Sequence, residues 1–375
     1  MNMSIPLCRP SFDEDEVEAV RRVLHSGWVV QGPEVQAFEQ ALAELHHVRY
    51  CVAVSSGTAA LHVSFLALGV SSGDEVLVPS FAWPSAANMA IACGARPKFV
   101  DVLEHTCNID PEDLHGRLSD ARQADDGVPA VIVPVHEFGL PANMKRVLEA
   151  AEQRDMDVVE DAACALGAKH RGQPVGTWGC LGILSFHPRK AVTTGEGGAI
   201  VTDDGDLARK CRMWRNHGQA EVEGHRDFVA PGMNYRMTDI QAAIGRVQLQ
   251  KLPDILAHRG KVAALYLDEL QDCPGLSLPY DSEEHTWQTF MILLDRRFDR
   301  DEIIRALKDR GIGAGQASVS AHGMQLYREE FGYSWEDLPV SSVLHRYGLA
   351  LPLYAGMSRD DAYEVCAAVR SVLKG

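Results

Sequence analysis

The sequence predicts an α/β fold: a large domain on a mostly parallel sheet, then a smaller α+β domain. Three observations carry this. From residue 50 to about 200, short apolar runs alternate with helical stretches, the signature of strands joined by crossover helices. The run PAVIVPVH (129–136) is apolar almost throughout, as a strand covered on both faces requires. The alternation stops after about residue 245, where one long helical stretch leads into a different mixture of strands and helices. A chain of 375 residues exceeds what one core usually serves, so two domains are expected, 1–250 and 251–375.

In order, residues 14–47 read as helical, broken near Gly27 and Gly32-Pro33. Val35, Phe38, Leu42 and Leu45 fall at helical spacing. Strands are expected at 50–56, 75–80, 96–102, 129–136, 155–163, 181–187 and 197–204. Helices fall at 57–69 and 85–93, and over MKRVLEAAEQR. Beyond them a long helix containing Pro253 leads from Gln248, followed by a strand at 287–294 and a helix at 301–312 that stops at a glycine. The last helix aligns Ala362, Val365, Cys366, Val369 and Val372 on one face.

Composition excludes several classes. A net charge of −16 opposes non-specific nucleic-acid binding, which needs a basic surface. No apolar run is long enough to span a bilayer, and the N-terminal residues lack the basic and apolar regions of a signal peptide. The nine cysteines show neither a CxxC pair nor zinc spacing, so no metal is expected and the thiols read as reduced. A cytoplasmic location is expected. GxGxxG is missing, which ranks a nicotinamide enzyme low.

Ligands of open α/β sheets bind at the carboxyl ends of strands. After 50–56 come Ser56, Gly57 and Thr58, small residues opening a helix whose free N–H groups suit an anion; an ordinary turn and cap is an equal reading. After 75–80 comes Trp83, either a stacking surface for a flat ring or a core aromatic. Glu160 and Asp161 end an apolar strand, where an acid needs a partner such as a buried cation. After 181–187 comes Lys190, with Ser185 five residues earlier. An anion cup, a ring stacker, a carboxylate and a lysine are together the requirements of pyridoxal phosphate. The Gly195–Gly198 run reads as a close-approach turn behind the lysine. His136, His187 and His217 keep local hydrogen-bonding readings beside ligand-facing ones.

The chain resembles the DegT/DnrJ/StrS nucleotide-sugar aminotransferases, of the fold-type I class of pyridoxal-phosphate enzymes. The likeness runs nearly end to end: SGWVVQGPEVQAFE, VAVSSGTAALH, GDEVLVPSFAWPSAAN, VVEDAACALGAKHRGQPVG, SFHPRKAVTTGEGGAIVTDD and GMNYRMTDIQAAIGRVQL. It implies that Lys190 is the Schiff-base lysine, Asp161 the partner of the pyridine nitrogen and Trp83 the ring stacker. Ser56, Gly57, Thr58 and Ser185 would hold the phosphate. Asn234 would reach the phosphate of a neighbouring subunit, which implies a homodimer with shared active sites. Arg236 is a candidate for an anionic substrate group or for a structural ion pair, and His322 fits a later family histidine near the sugar. The chain departs at Cys164, where the family has glutamine or histidine; a packing role is expected there. It departs again at Gln316-Ala317-Ser318, in place of a histidine–aromatic pair.

The implied reaction moves an amino group from an amino acid, L-glutamate being expected, to a nucleotide-linked keto-sugar, of the 4-keto-6-deoxy kind. A freed Lys190 amine would carry the proton, its pKa lowered by burial and cationic neighbours. The alternatives are a 3-keto-sugar or keto-cyclitol aminotransferase and, from another class, a non-catalytic regulator on the same fold.

Overall fold

The computed structural model describes residues 4–120 and 128–374. Its main sheet uses β1 (Tyr50–Val54), β2 (Asp74–Pro79), β3 (Arg96–Val100), β4 (Val128–Ile132) and β5 (Asp157–Asp161). After a two-residue hairpin, β6 (Lys169–His170) and β7 (Gln173–Pro174), come β8 (Leu181–Ser185) and β9 (Gly198–Thr202). The order is β1-β9-β8-β5-β4-β2-β3. Neighbours from β8 to β3 run parallel, while β9 is antiparallel to both β8 and β1. Six strands therefore point one way, and their carboxyl ends share one edge.

Helices α1 (Glu14–Ser26) and α2 (Pro33–His46) start the chain. Asp13 and Glu16 form a capping box on α1, and Gly27 ends it in the left-handed region at φ 73°. The crossovers are α3 (Gly57–Leu68), α4 (Ser85–Ala92), α5 (Pro111–Asp120) and α6 (Met144–Glu152), followed by α7 (Gly205–Arg215). An exposed hairpin, β10 (Gln219–Val222) with β11 (His225–Phe228), stands out from the body.

Helix α8 (Asp239–Leu270) is nine residues longer at its start than the sequence pattern suggested. Its N-terminus is a capping box between Thr238 and Gln241. Gly245 lets its first half lie against α2, because a Cβ there would stand 2.7 Å from Phe38 Cζ. Leu252 joins Phe38, Leu42 and Phe186 in the first core. Val262, Tyr266 and Leu270 belong to a second core with Phe290, Leu349 and Val365. That core covers the sheet β12-β13-β15-β14, from β12 (Leu276–Ser277), β13 (Phe290–Leu294), β14 (Gly315–Gln316) and β15 (Gly348–Leu351). Helices α9 (Arg300–Asp309) and α12 (Arg359–Lys374) pack with it, and α10 (Gln325–Phe331) and α11 (Pro339–Tyr347) lie between them in sequence. Ile5, at the far N-terminus, is buried in this second core and bridges Ile312.

Several strands stop short of their apolar runs. β13 begins at Phe290 rather than 287, because Trp287 sits in the left-handed region at φ 53° and cannot continue a ladder. Residues 133–136, 162–163 and 186–187 leave the ladders and form the rim above the sheet. No helix among the described residues is long and apolar enough to cross a membrane.

Candidate active site

The rim begins where β1 enters α3. Ser56 caps α3, its Oγ accepting from Ala59 N at 3.0 Å. Gly57 then opens the helix with its N–H groups free. A Cβ on Gly57 would lie 3.0 Å from Ser185 Cβ and 3.2 Å from its Oγ, so glycine lets the end of β8 close on the helix N-terminus. Gly198 of β9 supports the turn from behind, since a Cβ there would come within 2.4 Å of the Ser56 carbonyl carbon. The glycine run is thus the backing of the cup and not the cup itself.

β5 presents its two terminal acids to opposite sides, as alternate strand residues must. Glu160 is fully buried and satisfied: it accepts from the backbone N–H groups of Gly176, Trp178 and Gly179 and lies 3.0 Å from His136 Nε2. His136 Nδ1 in turn accepts from Ala142 N. His136 is therefore a buried structural histidine, with no face on a ligand. Asp161 faces the other way, into a cavity. Burial holds its carboxyl above the usual aspartate value, against the Ala163 N–H on Oδ1 at 3.0 Å and the charge of Lys190.

Lys190 follows β8 in a turn closed by its N–H to His187 O at 2.8 Å. Its Nζ donates to Cys164 Sγ at 3.0 Å. Cys164 is therefore more than packing, the reading its sequence position suggested: its sulfur positions the lysine. The expected lowering of the lysine pKa is also corrected. Burial does oppose the charge, but the Cys164 sulfur and the Asp161 and Glu137 carboxylates outweigh it and hold Lys190 above its usual value.

One cavity of about 430 Å³ brings most of the expected residues together: Ser56, Gly57 and Thr58 on one side, Asp161, Ser185 and Lys190 on another. Trp83 stands at its mouth, 72% exposed, and is no core aromatic. Ala317 and Ser318, from the segment that departs from the family pattern, line it too, as does His187. Three expected residues are elsewhere. His322 is fully buried, with Nδ1 2.5 Å from Ser80 Oγ and Nε2 3.3 Å from Ser342 Oγ, so the placement near the sugar is corrected to a core role. Arg236 donates to Asn216 Oδ1 at 2.7 Å and forms no ion pair among the described residues. Asn234 is exposed, bridged to Asn216, and does not line the cavity.

Sequence reasoning missed Glu137. It is 4% exposed and lines the cavity together with Ser318. Burial, aided by the Asp161 carboxylate and opposed by Lys190, pushes its carboxyl up to about 7. Its place depends on Phe138, which takes a left-handed φ of 56° beside Gly139 at φ 97°. The turn is held from both sides: Glu137 N donates to Asn108 Oδ1 at 2.9 Å, and Phe138 O accepts from Gln288 N at 2.8 Å. Strained backbone of this kind persists only where its surroundings enforce it. The only sequence signal was an acid just past the apolar run of 129–136.

These residues suit pyridoxal phosphate. A helix N-terminus closed on by a serine, without room for a Cβ between them, is built for a phosphate. A buried carboxyl whose ionisation burial disfavours gains from a cationic ring N–H. The described residues include no cluster of three or more His, Cys, Asp or Glu able to hold a metal.

Comparison with known proteins agrees with this geometry. Residues 10–370 match the model of the DegT/DnrJ/EryC1/StrS aminotransferase family. The chain is 35% identical to the spore coat polysaccharide biosynthesis protein SpsC of Bacillus subtilis (strain 168), over 100% of this chain and 98% of that one. Among solved structures it is similar to DesV of S. venezuelae, with 31% identity, TM-score 0.88 and 99% of each chain covered. It is also similar to the putative sugar aminotransferase Spr1654 of Streptococcus pneumoniae in its PLP form. That match has 25% identity and TM-score 0.90, covering 99% of this chain and 98% of that one.

Proposed function

The chain belongs to the DegT/DnrJ/EryC1/StrS aminotransferase family, and from that premise we propose that it transfers an amino group from L-glutamate to a nucleotide-linked 4-keto-6-deoxy sugar. As a member it is a pyridoxal-phosphate-dependent aminotransferase. The observation that carries the reading is the shared cavity: Lys190, the buried Asp161 and the α3 N-terminus all face it.

The roles follow from the chemistry of the side chains. When bound, pyridoxal phosphate supplies an aldehyde that accepts amino groups and a protonated ring that draws electrons from the substrate carbon. Asp161 keeps the proton on the ring nitrogen. The N–H groups after Ser56, with the Thr58 and Ser185 hydroxyls, bind the phosphate. Trp83 covers one face of the ring. Lys190 would hold the cofactor aldehyde at rest, and its Nζ, once freed in the neutral form, would take the proton from the amino-bearing substrate carbon. Cys164 holds that Nζ when the lysine is free.

The reading includes two copies of the chain per functional unit. Trp28, Val30, Phe228 and Val229 are 49–64% exposed, apolar side chains that a second copy would cover. Asn234 would then reach the partner's cofactor phosphate. The proposed division of the chain, 1–250 and 251–375, falls within α8. The nine unpaired cysteines fit a reducing cytoplasm.

The test has two parts. Borohydride reduction of the yellow holoenzyme should leave the cofactor mass on the peptide containing Lys190; label on any other lysine removes the assignment. A panel of nucleotide 4-keto and 3-keto sugars with glutamate, read by mass, should give the 4-amino product. No amino sugar from any member would overturn the nucleotide-sugar acceptor and the glutamate donor proposed here.

A further inference from the structure

A second, smaller cavity of about 100 Å³ lies beyond Glu137. Glu137, Phe138 and Thr289 line both it and the reaction cavity, so these three residues form the wall the two spaces share. We propose that this side cavity is a subsite for a neutral hydrogen-bond-donating substituent of the sugar, a hydroxyl or an acetamido group, with Glu137 as its acceptor. The proposal rests on the sugar-aminotransferase reading above.

Charge decides which part of the reactants can enter. Among the described residues the lining holds no lysine or arginine. It holds the carboxylates of Glu104 and Glu137, the hydroxyls of Thr106 and Tyr280, and the imidazoles of His105 and His285. Burial pushes His285 down to about 3, so it supplies no cation at physiological pH. The carboxylates of an amino-acid donor and the phosphates of a nucleotide are both repelled by such a lining. The reaction cavity carries Asp161, Glu137 and Glu196 too, but there Arg189 and Lys190 are at hand to pair with an anion. What remains is the neutral, hydroxylated part of the sugar.

Size points the same way. About 100 Å³ is too little for a base or a whole sugar ring, but enough for one small substituent. Glu137 is suited to the contact. Its carboxyl titrates at about 7, so near neutrality it accepts from a hydroxyl when ionised and donates to an amide oxygen when protonated. The strained Phe138 turn, held by Asn108 and Gln288, fixes where the Glu137 side chain leaves the backbone. A site built to bind a polar group rejects analogues that lack it far better than an apolar pocket rejects extra atoms.

The test compares wild type with Glu137→Leu and Thr106→Phe, the second filling the side cavity from its outer wall. The probes are UDP- and dTDP-linked 4-keto-6-deoxy sugars in which one ring hydroxyl or acetamido group at a time is replaced by hydrogen. Binding is read from the absorbance change of the amino-loaded holoenzyme, and turnover from product mass. For one substituent position, removing the group should weaken binding to wild type at least tenfold, with kcat little changed. Either substitution should abolish that discrimination, and Thr106→Phe, which lines the side cavity and not the reaction cavity, should do so with the cofactor spectrum as in wild type. If wild type aminates the sugars but Glu137→Leu and Thr106→Phe discriminate as it does, the subsite is overturned and the enzyme reading stands. If no sugar is bound or aminated, both fall. Should Glu137→Leu fail to fold, Thr106→Phe and Glu137→Gln decide alone, Gln being expected to retain part of the discrimination.

Discussion

Replacing Glu137 by Gln should stabilise the cofactor-free protein at alkaline pH and leave it nearly unchanged at acid pH. The carboxyl titrates at about 7 in the fold against an ordinary 4.5. Its folded value is raised, so its stabilising contribution is complete below pH 4.5 and is lost as pH climbs through 7. The difference amounts to roughly 3 kcal/mol once Glu137 is fully ionised. Glutamine is nearly isosteric and never ionises. Scaled to a chain this long, 3 kcal/mol is a gain in Tm of about 4 °C. The assay is thermal unfolding of wild type and Glu137→Gln, both stripped of cofactor, at intervals from pH 5 to pH 8.5. The Tm gap should open toward pH 8.5 in favour of the variant. Equal melting at both ends, or a gap that opens toward acid instead, would refute the burial of an ionisable carboxyl at this position.

Other perturbations test other parts of the site. Lys190→Ala should reduce amination by at least 10³-fold, while a cofactor-release assay still finds pyridoxal phosphate bound by the cup. Asp161→Asn should weaken cofactor affinity and slow proton removal together, visible as a raised cofactor Kd and a lowered kcat. Gly198→Ala would place a Cβ 2.4 Å from the Ser56 carbonyl carbon, so the cup must shift. Cofactor binding should suffer more than the fold, measured by equilibrium dialysis alongside circular dichroism. Val30→Asp, on the exposed apolar face, should shift sedimentation from dimer to monomer and lower cofactor occupancy with it.

Much of the architecture was legible because it rests on local rules. The alternation of apolar strands and crossover helices marked the parallel sheet. Strand ends marked where Asp161, Ser185 and Lys190 would emerge, and the cavity does gather them. Boundaries were less legible where backbone geometry overrides apolarity. Trp287, at a left-handed φ, delays β13 by three residues. α8 starts nine residues early because the Thr238–Gln241 capping box supplies a start that apolar periodicity does not register.

The misplacements share one cause. Whether a polar residue meets the ligand depends on which way its strand or turn presents it. His136 and Glu160, at strand ends, each had a ligand-facing reading open beside a structural one, and they face each other in the core. His322 was matched to the sugar pocket, yet Ser80 and Ser342 take both of its ring nitrogens. Cys164 looked inert until the turn carrying Lys190 put an ammonium 3.0 Å from its sulfur.

By itself the sequence determined the fold class, the order of the strands along the chain and the identity of the lysine and carboxylate offered at their ends. These follow from periodicity and residue chemistry, which act within a few residues of each other. Tertiary structure alone decided the sheet order, the closeness of Gly198 to Ser56, the pull of three acidic neighbours on Lys190 and the arrival of Glu137 beside it. Those depend on segments far apart in sequence meeting in space, and distance between such segments is written in no local pattern.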